Sequence, residues 1–281
     1  MLLRKSARPS PTQQTGGQRT NLLDSLLRIA GVYTAYEKWL TEQVKGKPLP
    51  EHIGIILDGN RRWAVEKALR PNDGHTIGAK VGEEVLDWCL EYGIKTLTLY
   101  TFSTENFDRP AEEVNAVLKL VEEEARKLGR DNRLHTQKVR VKALGRTDLL
   151  PESLQDALKK LEDDTSEYTG HFLNIAIAYT GRAEIVDATK KIVDDVYQGN
   201  LRPQDIDEGI FHKYLYTAHL PNPNPDLVIR TSGEERLSGF LLWQSAYSEL
   251  VFVDVYWPEF RRIDFLRAIR LYQRRYRRYG R

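Results

Sequence analysis

One cysteine, Cys89, is all that the 281-residue chain carries, so an internal disulfide is excluded and a reducing, cytoplasmic setting is the simple reading. Cys89 falls in an apolar helical pattern and reads as a buried thiol with no catalytic role. No stretch reaches the roughly 18 apolar residues that a membrane-spanning helix needs, and no secretory apolar region with a small-residue cleavage site is present near the first residue. The expectation is a cytoplasmic protein, with peripheral contact at the inner face of a membrane. Charge of one sign is missing too: 42 basic against 40 acidic residues leave a net +2, so bulk electrostatics name no partner. No Gly-x-x-x-x-Gly-Lys-[Ser/Thr] loop and no Gly-x-Gly-x-x-Gly follows a strand pattern, which argues against an ordinary nucleoside-triphosphate or dinucleotide enzyme. Internal repeats are lacking as well.

Residues 1–20 are rich in Pro, Thr, Gln, Gly and Ser and read as a disordered tail. Within 21–46, Leu22, Leu26, Ile29, Tyr33, Tyr36 and Leu40 recur at helical spacing and predict one amphipathic helix ending near Val44, with its apolar face on the domain or against a bilayer. From 51 to 281, strand patterns at 53–57, 97–100, 139–144, 172–178, 227–229 and 250–253 alternate with helical ones at 78–92, 111–128, 151–167 and 181–197. That order implies an α/β fold: a single domain with a mainly parallel, roughly six-stranded sheet flanked by helices. A last helix combines Phe265, Ile269, Tyr272, Tyr276 and Tyr279 with nine arginines in 261–281, which fits a docked amphipathic helix as well as a nucleic-acid footprint.

Ligands of parallel sheets bind beyond the carboxyl ends of the strands, so the residues after each strand pattern are the candidates. The first strand runs into Asp58-Gly59-Asn60-Arg61-Arg62-Trp63, which suits a magnesium-bound phosphate: a carboxylate for the metal, forked arginine donors and backbone N–H groups at a helix start. Alone, Asp-Gly-Asn would be an ordinary turn. The second runs into Thr101 to Pro110, dense in hydrogen-bonding side chains, which could simply cap the following helix. A later strand opens into Arg230-Thr231-Ser232-Gly233-Glu234-Glu235-Arg236-Leu237-Ser238-Gly239, a second anion site by the same logic. Glu249, before the last strand, either completes a metal site with Asp58 or caps a helix. Two diphosphates and one Mg²⁺ fit this inventory.

The run His52 to Ala64, with Asp58-Gly59-Asn60-Arg61-Arg62-Trp63 at its heart, resembles the opening signature of the cis-prenyltransferases, the undecaprenyl and dehydrodolichyl diphosphate synthase family. Gly74-His75, Leu97 to Phe107, Asp226 to Glu234, Phe240 to Gln244 and Tyr247-Ser248-Glu249-Leu250 resemble further family blocks in the same order, over about 51–281. The resemblance implies the cis-prenyltransferase fold and repeated condensation of isopentenyl diphosphate onto an allylic diphosphate, geranylgeranyl or farnesyl diphosphate, giving a long-chain polyprenyl diphosphate, the precursor of a glycosyl carrier lipid. It implies that Asp58 and Glu249 hold Mg²⁺, that Gly59, Asn60, Arg61, Arg62, Trp63 and His75 surround the allylic diphosphate, and that Arg70 fills an arginine role one position early, with Pro71 in the usual place. Asn106, supported by Ser103, falls where the proton leaves, with Thr104, Glu105, Phe107 and Arg109 around the substrate. Arg230, Arg236, Leu237 and Ser238 fall at the isopentenyl diphosphate. Arg61 stands where many bacterial members have glycine and Phe107 where they have tryptophan, while 36–57 looks closest to archaeal members. Arg278-Tyr279-Gly280 resembles a C-terminal motif that reaches a neighbouring subunit, implying a homodimer and no nucleic-acid role. Thr101, Val114, Val117, Leu118 and Val121 are candidate lining of the family's apolar tunnel.

Three other readings make distinct predictions. A non-catalytic subunit of the same fold would incorporate no isopentenyl diphosphate. A nucleic-acid module would bind DNA or RNA in a strongly salt-dependent way. The all-helical prenyltransferases use Asp-Asp-x-x-Asp pairs, for which Asp163-Asp164 offers a single near match, and the strand content excludes that fold.

Overall fold

The computed structural model describes residues 31–275. The expected tail over 1–20, the first part of the N-terminal helix, Tyr276, Tyr279 and the Arg278-Tyr279-Gly280 motif lie outside the described residues. Six strands, β1 (His52–Ile56), β2 (Thr96–Ser103), β3 (Val139–Leu144), β4 (His171–Tyr179), β5 (Leu227–Arg230) and β6 (Glu249–Phe252), form one sheet in the order β3-β4-β2-β1-β5-β6. Every neighbouring pair is parallel. All five residues of β1 are buried, because helices cover both faces of the sheet, and that is why the strands read as apolar runs rather than alternations. The chain leaves β1 toward β2 and returns to its other side at β5, so the strand order reverses about β1. At such a reversal the connections depart to opposite faces and open a crevice at the carboxyl ends.

Around the sheet lie α1 (Val32–Val44), α2 (Asn60–Glu66), α3 (Pro71–Glu91), α4 (Ala111–Leu128), α5 (Asn132–Thr136), α6 (Glu152–Thr165), α7 (Gly181–Tyr197), α8 (Glu208–His212) and α9 (Arg262–Arg274). Helix α3 begins seven residues before the predicted start. Pro71 occupies its first turn, and Asp73 accepts from the Arg70 N–H, while Gly74 and Gly78 leave no apolar signal in the turns that follow. Strand β2 also extends past Tyr100 to Ser103, with register shifts against β4 that re-aim its last residues.

The larger core packs α1, α3, α4, α6 and α9 on the sheet, and a smaller one on the opposite side joins Ile56, Tyr100, Tyr179, Val228, Phe240 and Leu241. Leu40 and Val44 of α1 are buried, so its apolar face packs on the domain. Across α1 and α9, Arg261, Arg267 and Arg270 lie over the rings of Tyr33, Tyr36 and Trp39, and Arg262 pairs with Glu37 and Glu91. Arg262, Arg267 and Arg270 of α9 are thus partnered within the fold.

Candidate active site

At the reversal point the end of β1 meets the end of β5. The Asp58 N–H donates to Thr231 Oγ1 (3.0 Å), and the Thr231 hydroxyl donates to the Asp58 carbonyl (2.7 Å), which fixes the two loops together. Arg230 is 4% exposed and donates through Nη2 to Asp58 Oδ2 (2.7 Å) and through Nη1 to Ser238 Oγ (2.8 Å) and the Arg236 carbonyl. Arg62, one turn into α2, donates to Asp58 Oδ1 (3.1 Å), Ser232 Oγ (2.7 Å) and Glu234 Oε1 (3.0 Å), and Glu234 also pairs with Arg236. Burial pushes the Asp58 carboxyl up, but hydrogen bonds from Arg230 and Ser232 and the charges of Arg230 and Arg62 outweigh it and hold the group below the ordinary carboxylate value. The result is an ionised aspartate between two guanidinium groups, and a chain of alternating charges running from β5 to α2.

These groups face a cleft of about 1130 Å³, lined among others by Asp58, Gly59, Asn60, Arg61, Arg62, His75, Ser103, Glu105, Asn106, Arg109, Arg230, Arg236 and Ser238. On its β2 side the Ser103 N–H donates to Asn106 Oδ1 (3.1 Å), so the amide carbonyl is engaged and the NH₂ group is the free end. Arg61 and Arg109 share Glu113, at 3.5 and 3.1 Å. Burial, with Arg109 nearby, pushes the His75 imidazole down to about 4, so it is neutral at neutral pH. Asn60 Oδ1, His75 Nε2 and Arg230 Nε are buried without a hydrogen-bond partner among the described residues. Unpartnered polar atoms on a cleft floor mark positions where a polar ligand would bind.

Leu57, Asn60, His75 and Thr101 also line a second, apolar cavity of about 150 Å³ that runs behind the cleft between the sheet, α3 and α4. Its walls include Leu99, Val117, Val121 and Ala125. Gly74 and Gly78 bring α3 onto α2 here: a Cβ at 78 would lie 2.3 Å from Asn60 Oδ1 and 2.7 Å from Trp257, so only glycine permits the approach. Val114 and Leu118, expected in this lining, are in the core instead, because they lie on a different part of the broad apolar stripe of α4.

Six further expected residues sit elsewhere in the described structure. Trp63 is buried and donates to Glu259 Oε1 (3.0 Å), away from the cleft, since the α2 turn points it inward. Phe107 packs edge-on against Phe102, and Leu237 packs on the smaller core. Thr104 is absent from the cleft lining, and Arg70 is exposed and pairs with Asp73 at the start of α3. Glu249 is the first residue of β6, in register with Leu227 and through it with Ile53. Asp58 lies five residues further along, about 16 Å at roughly 3.3 Å per residue, so the two carboxylates of one chain are at opposite edges of the sheet. Glu249 instead pairs with Arg275 at 2.9 Å. Conversely, Thr180, Arg182, Glu66 and Tyr256 line the cleft unforeseen. Thr180 and Arg182 directly follow β4, so the same attention to strand ends would have found them.

Two rows of basic groups about an ionised aspartate, opening into an apolar cavity, are the setting for an amphiphile with an anionic head, and comparison with known proteins agrees. The undecaprenyl diphosphate synthase family profile (Prenyltransf) matches residues 56–280. The chain belongs to this family of cis-prenyltransferases. It is 54% identical over 269 residues to the tritrans,polycis-undecaprenyl-diphosphate synthase (geranylgeranyl-diphosphate specific) of Methanopyrus kandleri, covering 95% of this chain and 98% of that protein. Likewise it is 53% identical over 251 residues to the protein of the same name from Methanocaldococcus jannaschii, covering 89% and 90%. An isoprenyl transferase of Thermus thermophilus is 51% identical over 254 residues, covering 89% and 96%. Among solved structures, lavandulyl diphosphate synthase from Lavandula x intermedia, in complex with dimethylallyl diphosphate, superposes with a TM-score of 0.80 at 37% identity, covering 83% of this chain and 99% of that one. As a cis-prenyltransferase the chain is a transferase that makes a polyprenyl diphosphate.

Proposed function

We propose that this cis-prenyltransferase adds isopentenyl diphosphate repeatedly to geranylgeranyl diphosphate, giving a long polyprenyl diphosphate that serves as the precursor of a glycosyl carrier lipid. The observation that carries the reading is the junction at Leu57, Asn60, His75 and Thr101, where an arginine-rich cleft becomes an apolar cavity. The diphosphate heads belong in the first and the growing hydrocarbon in the second. Names of the archaeal relatives point to geranylgeranyl diphosphate as the starter, with farnesyl diphosphate the alternative.

Arg61 and Arg62 hold the allylic diphosphate from α2, and Arg230, Arg236 and Ser238 hold that of isopentenyl diphosphate from the β5 loop. Asp58, between them, suits Mg²⁺: the carboxylate is ionised and faces the cleft, and a magnesium ion commonly takes one or two carboxylates with substrate phosphates and water completing its shell. When bound, Mg²⁺ supplies charge stabilisation to the departing diphosphate. Arg62 and Arg230 then turn their free donors to phosphate oxygens.

The allylic C–O bond breaks with its electron pair leaving on diphosphate, the isopentenyl double bond forms the new C–C bond, and a proton leaves the product. Asn106, with its carbonyl engaged by Ser103, offers N–H donors and orients the departing diphosphate or a water that takes the proton. The apolar cavity behind Thr101 keeps water from the cationic carbon. No helix among the described residues is long and apolar enough to cross a membrane, and a lipid product calls for peripheral contact with a bilayer at the inner face. A homodimer completes the reading.

Incubating the protein with Mg²⁺, labelled isopentenyl diphosphate and, separately, geranylgeranyl and farnesyl diphosphate tests this. Long labelled chains with geranylgeranyl diphosphate as the better starter are expected. Folded protein that incorporates nothing from either starter would overturn the reading in favour of a non-catalytic subunit.

A further inference from the structure

The first turn of α7 enters the cleft from the end of β4, and the loop after β5 crosses beyond the ends of β1 and β2 to meet it. The Gly181 N–H donates to the Gly239 carbonyl (2.6 Å), and the Tyr100 hydroxyl lies between the carbonyls of Tyr179 (3.1 Å) and Ser238 (3.3 Å). A Cβ at 181 would lie 2.8 Å from the Gly239 oxygen and 2.8 Å from Leu242, so glycine is what lets the helix start this close to the loop. Thr180 and Arg182, on either side of Gly181, both line the cleft. Arg182 is thereby held beside Ser238, whose hydroxyl oxygen accepts from Arg230 at 2.8 Å.

The other arginines of the cleft are already engaged. Arg61 and Arg109 face Glu113, Arg62 and Arg230 hold Asp58, and Arg236 pairs with Glu234. Arg182 has neither an ion pair nor a side-chain hydrogen bond among the described residues. Its backbone is idle as well. In the first turn of α7 the Gly181 N–H goes to Gly239, the Ala183 N–H to Thr180 Oγ1 (3.2 Å) and the Glu184 N–H to the Thr180 carbonyl (2.9 Å), while the Arg182 N–H has no acceptor among the described residues. On the same cleft the Nε of Arg230, a residue only 4% exposed, also lacks an acceptor. A guanidinium and an N–H without acceptors, close to a buried donor without one, suit the oxygens of an anion.

We propose that Arg182 is a third arginine for the diphosphate of isopentenyl diphosphate, acting with Arg230, Arg236 and Ser238. Arg230 and Arg236 bind an anion while sharing their charge with Asp58 and Glu234, whereas Arg182 has no carboxylate to give up and so adds attraction that the other two lack. The contacts of Gly181 with Gly239 and of Tyr100 with Ser238 join α7 to the isopentenyl side of the cleft rather than to α2, which holds the allylic head. This rests on the chain-elongating reading above and adds a substrate-binding residue to it.

The test measures steady-state incorporation of labelled isopentenyl diphosphate, with geranylgeranyl diphosphate and Mg²⁺, by the wild-type protein, Arg182→Gln and Arg182→Lys, with thermal denaturation of each. Arg182→Gln should raise the Michaelis constant for isopentenyl diphosphate about tenfold or more, as expected when one charge-assisted hydrogen bond is lost. The Michaelis constant for geranylgeranyl diphosphate and the melting temperature should stay unchanged, and Arg182→Lys should recover part of the loss. An unchanged Michaelis constant for isopentenyl diphosphate in Arg182→Gln would overturn the proposal. So would a defect confined to geranylgeranyl diphosphate, which would give Arg182 to the allylic head, or a defect accompanied by a lower melting temperature in both variants, which would make the residue structural. Absence of any polyprenyl product from the wild-type protein would instead remove the elongating reading itself, and the role of Arg182 with it.

Discussion

Asp58 and Arg230 meet at 2.7 Å where β1 and β5 end side by side, and Arg230 is almost wholly buried. The contact places a fixed cation and an ionised carboxylate at the point where the strand order reverses, before any substrate arrives. Its forked geometry also lets one guanidinium serve Asp58, Ser238 and the Arg236 carbonyl together. Arg230→Lys keeps the charge but cannot span these partners. It should raise the Michaelis constant for isopentenyl diphosphate by about tenfold or more and cost about 1–3 kcal/mol of stability, because buried acceptors lose their donor. Steady-state kinetics and urea denaturation of the variant check both.

Arg236 is a different case. Its side chain is largely exposed and pairs with Glu234, so water and salt screen the interaction. Arg236→Ala should therefore leave stability within about 0.5 kcal/mol of wild type while weakening isopentenyl diphosphate. A defect confined to the allylic substrate would mean that the two anion sites are reversed.

Acid should destabilise the protein well before its carboxylates titrate. His52, His75 and His219 are each pushed from 6.5 down to about 4, in every case chiefly by burial. Below about pH 6.5 the unfolded chain takes up protons that these folded histidines refuse, so the stability they contribute is complete above 6.5 and falls as pH drops toward 4. His52, fully buried, accounts for about 3 kcal/mol of that loss. Its ring N–H at Nδ1 donates to the Asn222 carbonyl (3.1 Å), leaving Nε2 to accept from Thr98 (2.8 Å). Chemical denaturation measured at several pH values should show this slope, and His52→Gln should flatten it.

Gly78→Ala places a methyl group against Asn60 Oδ1 and Trp257, and neither can retreat easily. Trp257 donates to the Gly78 carbonyl itself at 2.7 Å. We expect a loss of about 1–3 kcal/mol from overpacking, together with weaker use of the allylic substrate as α2 is displaced. Thermal denaturation and the Michaelis constant for the allylic diphosphate would register the two effects.

The six strands were legible because a parallel sheet covered on both faces needs continuous apolar runs, and Ile53 to Ile56 is such a run. The polar floor was legible because strand exits such as Asp58 to Arg62 and Arg230 to Ser238 concentrate charge where a parallel sheet presents its ligands. What the sequence did not display was anything that depends on direction. Glu249 sits beside a strand, but at its entry, and entries lie at the opposite edge from Asp58. Trp63 and Phe107 occupy functional stretches of sequence, yet one turn of helix points each into the core. Val114 and Leu118 share a stripe with Val117 and Val121, and periodicity cannot say which part of a broad apolar face meets a cavity. The start of α3 was hidden because close approach of two helices demands glycine, which carries no apolar signal.

The most direct test of the account compares label incorporation from isopentenyl diphosphate by the wild-type protein and by Asp58→Asn, with geranylgeranyl diphosphate and Mg²⁺ present. Circular dichroism should show both to be folded. The cleft centred on Asp58 predicts long labelled chains from the wild-type protein and a rate at least about 10²-fold lower from the variant. Equal incorporation by the two would contradict it, and would place the chemistry somewhere other than the meeting point of β1 and β5.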